Sequence, residues 1–177
     1  MKKRVLYLLG CAAPPVQYMD RPVRQAQAEG WEVCVGLTPT AAEWMSDRLA
    51  ALEDLTGHPV RHAQRRVGET SRWPAATASV IAPATLNTVN LIALGLTPTW
   101  LAGHGVEAIG KRWPLVVMPC VNSAYASHPQ FGRSLETLRG AGVRVLFGEP
   151  DGFVPNSPGQ GDPEGYPWRL ALSALPD

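Results

Sequence analysis

Four short stretches of this 177-residue chain gather small, hydroxyl and amide side chains. They are Gly10-Cys11-Ala12-Ala13-Pro14-Pro15, Thr38-Pro39-Thr40, Pro83-Ala84-Thr85-Leu86-Asn87-Thr88 and Pro119-Cys120-Val121-Asn122-Ser123. Binding a polyanion such as a phosphate ester calls for backbone N–H donors, hydroxyls and the positive end of a helix. The four stretches offer these with almost no side-chain charge in competition. Thr and Asn also serve as plain helix caps, and each stretch taken alone fits that role equally well. Other chemistries lack their signatures: GxGxxG, a Walker loop, Ser-x-x-Lys, GxSxG and HExxH are all absent. His58 and His62 are separated by Pro59, which breaks the helix that would place both on one face for a metal. His104, between two glycines, and His128, before Pro129, read as loop or helix-end residues. Metal ligation is therefore not expected.

The elements that must position these stretches are legible as five short apolar runs. These are Val5–Leu9, Val33–Leu37, Ala78–Ala82, Leu115–Met118 and Val143–Phe147. Runs of this kind, unbroken by polar alternation, suit strands buried on both faces. Helical material lies between them at Arg21–Glu29, Ala41–Leu55, Leu86–Ile109 and Phe131–Arg139. Asp20 reads as an N-cap and Gly30 as a C-terminal stop, and Pro98 divides Leu86–Ile109 into two helices. Strand alternating with helix predicts a three-layer, Rossmann-like (flavodoxin-like) α/β domain with a mostly parallel sheet, spanning residues 1–177. Gly148–Gly165, dense in proline and glycine, is a long loop, and Pro167–Leu175 returns as a short helix. In such sheets ligands sit outside the carboxyl ends of the strands, which is where the four stretches fall.

Composition narrows the classes. Apolar residues make up 45% of the chain and charged residues 18%, which excludes a disordered tail and a coiled coil. Sixteen basic against fifteen acidic residues, with no run of five like charges, argues against nucleic acid and membrane surfaces as partners. No stretch of eighteen apolar residues occurs to span a bilayer. The basic start followed by Val5–Ala13 has the outline of a signal peptide, but Pro14-Pro15 and the missing cleavage site favour a buried strand. Cys11, Cys34 and Cys120 lie far apart without CxxC spacing, which points to a reducing, cytoplasmic setting. Six tryptophans divide between buried core and candidate subunit contacts.

Ala82-Pro83-Ala84-Thr85-Leu86-Asn87-Thr88 resembles the PASANT motif of the homo-oligomeric flavin-containing cysteine decarboxylases. Pro119-Cys120-Val121-Asn122 stands where that family carries Pro-x-Met-Asn. Ala51–Val60 resembles the ALSGRPV stretch of the phosphopantothenoylcysteine decarboxylases, and Thr38-Pro39-Thr40-Ala41 the family's strand-two tip. Leu135–Arg139 with Gly142–Val145 resembles its last helix and strand, so the likeness runs from about residue 4 to 150. The resemblance implies FMN at the sheet edge, shared across the subunit boundary of a homotrimer or a multiple of trimers. It implies flavin contacts from Cys11, Ala12, Ala13, Thr38, Thr40, Thr85, Leu86, Asn87, Thr88 and Cys120. Asn122 takes the place of the asparagine that holds the substrate carboxylate, and Asn87 stands beside it as a second catalytic candidate. Neutral amide and hydroxyl donors hold an anion without burying a second charge.

The departures fall on proton handling. Where the family places a histidine ahead of the PASANT motif stands Glu69, and Ala63–Ala82 holds no histidine at all. His62 substitutes only if its loop folds back. The coenzyme-A-pathway members use a late cysteine as proton donor, and no cysteine follows Cys120 here. Losing a positioned acid or base typically costs ~10²–10⁴-fold in rate. The resemblance therefore implies an FMN enzyme acting oxidatively on a small thiol or C-terminal cysteine peptide. The alternative is an FMN-binding or regulatory subunit without catalysis of its own.

Overall fold

The computed structural model describes residues 3–176. The start Met1-Lys2, part of the signal-peptide reading, and Asp177 lie outside the described residues. Strands β1 (Val5–Gly10), β2 (Glu32–Leu37), β3 (Ala78–Ala84), β4 (Leu115–Pro119) and β5 (Arg144–Val145) form one parallel sheet in the order β2-β1-β3-β4-β5. Successive side chains leave a strand on opposite faces, and the burial follows that rule. Leu6, Leu8, Val33, Val35, Val80, Val116 and Met118 feed one core. Val5, Leu9, Cys34, Ile81, Leu115 and Val117 feed a second core on the other face. Helices α1 (Asp20–Ala28), α3 (Leu49–Thr56) and α8 (Trp168–Ser173) cover the first face. The second is covered by α4 (Leu86–Ala93), α5 (Trp100–Gly110) and α7 (Pro129–Gly140). Two short helices, α2 (Pro39–Trp44) and α6 (Ser123–Ala126), follow the tips of β2 and β4. This is the three-layer α/β fold that the apolar runs predict.

Several local expectations need correction. Ala41–Leu55 is two helices, not one. The polar residues Ser46–Arg48 carry a turn that lets Met45 and Leu52 both bury in the same core, and Arg48 donates to the Gln17 carbonyl at 2.6 Å. Asp20 is the first residue of α1 rather than its cap. A 3-10 helix over Pro14–Tyr18 runs straight into α1, leaving Met19 as an N-cap without a side-chain bond. The last strand is shorter than Val143–Phe147, because after Val145 the chain turns to pair Phe147 with Phe153. Gly30, with φ +86°, does close α1, and Thr99 caps α5 just after Pro98. Trp31, Trp73, Trp100 and Trp168 are buried, whereas Trp44 and Trp113 are exposed. No described helix is long and apolar enough to cross a membrane.

His104 is the clearest misreading. It sits in the middle of α5, buried, with Nε2 2.8 Å from the Ser79 hydroxyl of β3. The flanking glycine is there for packing: a Cβ on Gly105 would lie 2.6 Å from Ile92 Cδ1 of α4. Burial is the main cause that lowers the His104 pKa to about 4, with Arg61 and Lys111 adding to it and Glu107 opposing. Between that value and the ordinary ~6.5, the unfolded chain holds a proton that the folded chain does not. The contribution is therefore complete above about pH 6.5 and is lost as pH falls to about 4, amounting to about 3 kcal/mol. His104→Gln should flatten this part of the stability profile. Melts across that pH range, with the slope unchanged in the variant, would assign the acid sensitivity elsewhere.

Candidate functional site

The chain reverses direction across the sheet between β1 and β3: β2 lies on one side of β1, while β3, β4 and β5 follow on the other. Crevices in open α/β sheets form at such a switch point, outside the strand ends. A cleft of about 450 Å³ opens there. The β1 tip contributes Ala12, Ala13, Pro14 and Pro15, the β3 tip Thr85 and Leu86, and the β4 tip Cys120, Val121 and Asn122. Tyr125 of α6 and the loop residues Phe153, Asn156, Ser157, Gly159, Gly161, Asp162 and Pro163 complete the wall. Its size is that of an ordinary small-molecule site. Among the described residues, Asp162 is the one charged residue lining it, and no histidine, lysine or arginine does.

The tips are held by their own hydrogen bonds. Cys11 N–H donates to the Pro83 carbonyl at 2.9 Å and Cys120 N–H to the Ala84 carbonyl at 2.8 Å, which ties the three tips side by side. Thr38 Oγ1 accepts from Ala41 N–H, Thr85 Oγ1 from Thr88 N–H, and Asn122 Oδ1 from Tyr125 N–H at 2.9 Å. The capping role noted for these residues is thus the one their oxygens perform. Capping consumes only the carbonyl oxygen of Asn122, so its amide N–H groups stay available as donors. Leu86 is the first residue of α4, where a helix leaves its N–H without an intrahelical partner. Thr85 also donates to Thr88 Oγ1 at 3.2 Å, and the Cys11 thiol donates to the same oxygen at 3.4 Å.

Burial sets the electrostatics. It pushes the Cys120 thiol up to about 12 and raises the fully buried Cys11 thiol despite its bond to Thr88. It also holds Tyr166 well above the usual phenol range, with its hydroxyl donating to the Met118 carbonyl at 2.7 Å. At neutral pH both thiols are therefore protonated, and apart from the Asp162 carboxylate the cleft presents neutral donors and apolar walls.

Of the residues singled out in the sequence, Ala12, Ala13, Thr85, Leu86, Cys120 and Asn122 meet around this one cleft. Cys11 and Thr88 lie buried beneath it. Thr38 is buried at the β2 tip, its N–H donating to the Gly10 carbonyl at 3.0 Å. Thr40 and Asn87 are exposed on the first turns of α2 and α4 and do not line the cleft. His62 lines a different cavity, between Pro59 and Trp73. The long loop, which the family resemblance puts in the region of the substrate clamp without its sequence, is seated as a wall: Ser123 N–H donates to the Asn156 carbonyl at 2.8 Å, and Arg21 pairs with Glu164 at 2.6 Å. The density of proline and glycine in that loop signals irregular structure but not where it packs.

Comparison with solved structures places the fold. The chain is similar to the FMN-dependent cysteine decarboxylase SpaF, at 24% identity and TM-score 0.68 over 98% of this chain and 97% of that one. It is similar to MrsD from Bacillus sp. HIL-Y85/54728, at 18% identity and TM-score 0.71 over 98% and 96%. A PPC decarboxylase mutant complexed with pantothenoylaminoethenethiol matches at 22% identity and TM-score 0.63 over 82% of both chains. No curated protein sequence matches. The Flavoprotein family model matches residues 2–163, and the chain belongs to that family.

Proposed function

We propose that this chain binds FMN in the cleft at the β1, β3 and β4 tips and oxidises a small thiol or the C-terminal cysteine of a peptide. Membership of the Flavoprotein family and likeness to the FMN-dependent SpaF support FMN as its cofactor. The observation that carries the reading is the convergence of Ala12, Ala13, Thr85, Leu86, Cys120 and Asn122 on one cleft that no cation lines among the described residues. The residues fit the group. Leu86, Val121 and Phe153 offer apolar surface for a ring system, and the start of α4 offers backbone donors for a phosphate.

A bound FMN supplies the two-electron acceptor that thiol oxidation requires. Asn122 holds the substrate carboxylate through its free amide N–H groups. Cys120, kept neutral by burial, contributes shape rather than a base. Cys11 and Thr88 would fix the turn that holds the phosphate, and Thr38 would keep the β2 tip docked on β1 beside it. Thr40 and Asn87, exposed outside the cleft, would contribute to the site of a second copy in a homotrimer. Since the late cysteine that serves the coenzyme-A-pathway members as proton donor has no counterpart here, decarboxylation, where it follows, ends at the enethiol.

Mass spectrometry of FMN-loaded protein with C-terminal cysteine peptides and phosphopantothenoylcysteine tests this. The expected products have lost two hydrogens, or two hydrogens and carbon dioxide. Bound FMN without product from any of them would reject the reading. The cleft's lack of a histidine favours one alternative, an FMN-binding regulatory subunit, whose FMN affinity would be indifferent to thiols and which would copurify with a partner. Light scattering that gives a monomer would remove the shared site.

A further inference from the structure

A second cleft, polar in character, shares none of the lining residues of the first. It measures about 410 Å³ and is lined chiefly by Arg61, Gln64, Arg65, Thr97, His104 and Glu107, over the ring of Trp100. Arg61 is fixed at three levels. Its N–H donates to the Val35 carbonyl at 3.1 Å and its carbonyl accepts from Leu37 N–H at 2.8 Å, so its backbone extends the edge of β2. Its guanidinium lies over the Trp100 ring, 4.3 Å from the centroid. That ring is itself held by Nε1 donating to the Leu37 carbonyl at 3.1 Å.

This half-buried cation has no carboxylate within ion-pair distance among the described residues, and neither has Arg65. The side chain of Arg61 makes one hydrogen bond, a marginal one from Nε to the Ala63 carbonyl at 3.5 Å. Burial, the largest cause, and the neighbouring Arg65 disfavour its charge, and Tyr7, Glu69 and Glu107 offset them only in part. Glu107, the carboxylate in the cleft, is engaged by Lys111. His104 is neutral near pH 7 and adds no competing charge. Arg66 and Arg72 line the adjoining cavity, which Arg61 and Arg65 share, against the single carboxylate of Glu69. Desolvating an unpaired guanidinium is costly, and a rigid planar fork is what recognises an oxyanion. Two guanidinium groups with the Gln64 amide and Thr97 hydroxyl present more donors than the two oxygens of a carboxylate accept.

We propose that Arg61 and Arg65 form a second anion site, independent of the flavin cleft, that takes the phosphate group of a small molecule. The test is calorimetric titration of FMN-saturated protein with inorganic phosphate, with glycerol 3-phosphate and with malonate. Both phosphates are expected to give saturable heat; tighter glycerol 3-phosphate marks an organic ester as the ligand, and equal affinities mark the free ion. Malonate should bind more weakly. Arg65→Gln, at an exposed position that leaves the core intact, should weaken phosphate binding about tenfold or more. Arg61→Gln should do the same, while FMN affinity in both variants stays within about twofold of the parent. No saturable heat with either phosphate, malonate binding as tightly as phosphate, or unchanged affinity in the double variant would overturn the proposal. A chain that fails to bind FMN but still distinguishes Arg65→Gln in phosphate titrations would sink the flavin reading and leave this site standing.

Discussion

Asn122→Asp is expected to keep the fold and the bound flavin and to lower thiol turnover by about 10²–10³-fold. The side chain has two ends with separable duties. Oδ1 accepts from Tyr125 N–H and caps α6, a task an aspartate performs equally well. The amide N–H groups are the donors assigned to the substrate carboxylate, and aspartate replaces them with a negative charge. Loss of donation and new repulsion then act together on one substrate group. Kinetics with a C-terminal cysteine peptide would show the loss in kcat/KM, while absorbance of the bound flavin stays unchanged. A variant with parental kcat/KM would remove Asn122 from the reaction.

Gly152→Ala is expected to destabilise the chain by about 1–3 kcal/mol and to loosen the flavin. A Cβ at this position would stand 2.2 Å from Phe147 N and 2.4 Å from the Leu146 carbonyl carbon. Those are backbone atoms, so no side-chain rotation relieves the clash. The chain must give up two bonds, Gly148 N–H to the Phe153 carbonyl at 3.0 Å and Phe153 N–H to the Leu146 carbonyl at 3.2 Å. Phe153 then leaves the cleft wall. Burying a phenylalanine contributes roughly 1.5–3 kcal/mol, which corresponds to about 10–100-fold in flavin affinity if that contact is lost. Parental melting temperature and parental flavin affinity together would show that the loop does not close the cleft.

The apolar runs predict the sheet well because burial on both faces leaves little room for polar residues, and the two cores take alternate residues of each strand. What escapes is set by contacts distant in sequence. The glycines beside His104 read as a break, but the helix runs through them and Gly105 serves the approach of α5 to α4. The turn after Met45 has no proline or glycine, and is held by packing and by Arg48 reaching Gln17. At the cleft, the tips of β1, β3 and β4 are legible because strand ends are marked by small residues and caps. The loop wall is not, since irregular backbone carries no periodicity, and Tyr125 is not, since the four residues of α6 are too few to show one. The same holds for Arg61 and Arg65, whose irregular segment reads as an ordinary solvated stretch until Trp100 is placed beneath it.

The most direct measurement is a titration of purified protein with FMN followed by visible absorbance. The account predicts a shifted flavin band that saturates near one flavin per chain, with Asn122→Asp matching the parent and Gly152→Ala binding more weakly. A spectrum that remains that of free FMN throughout the titration would contradict it.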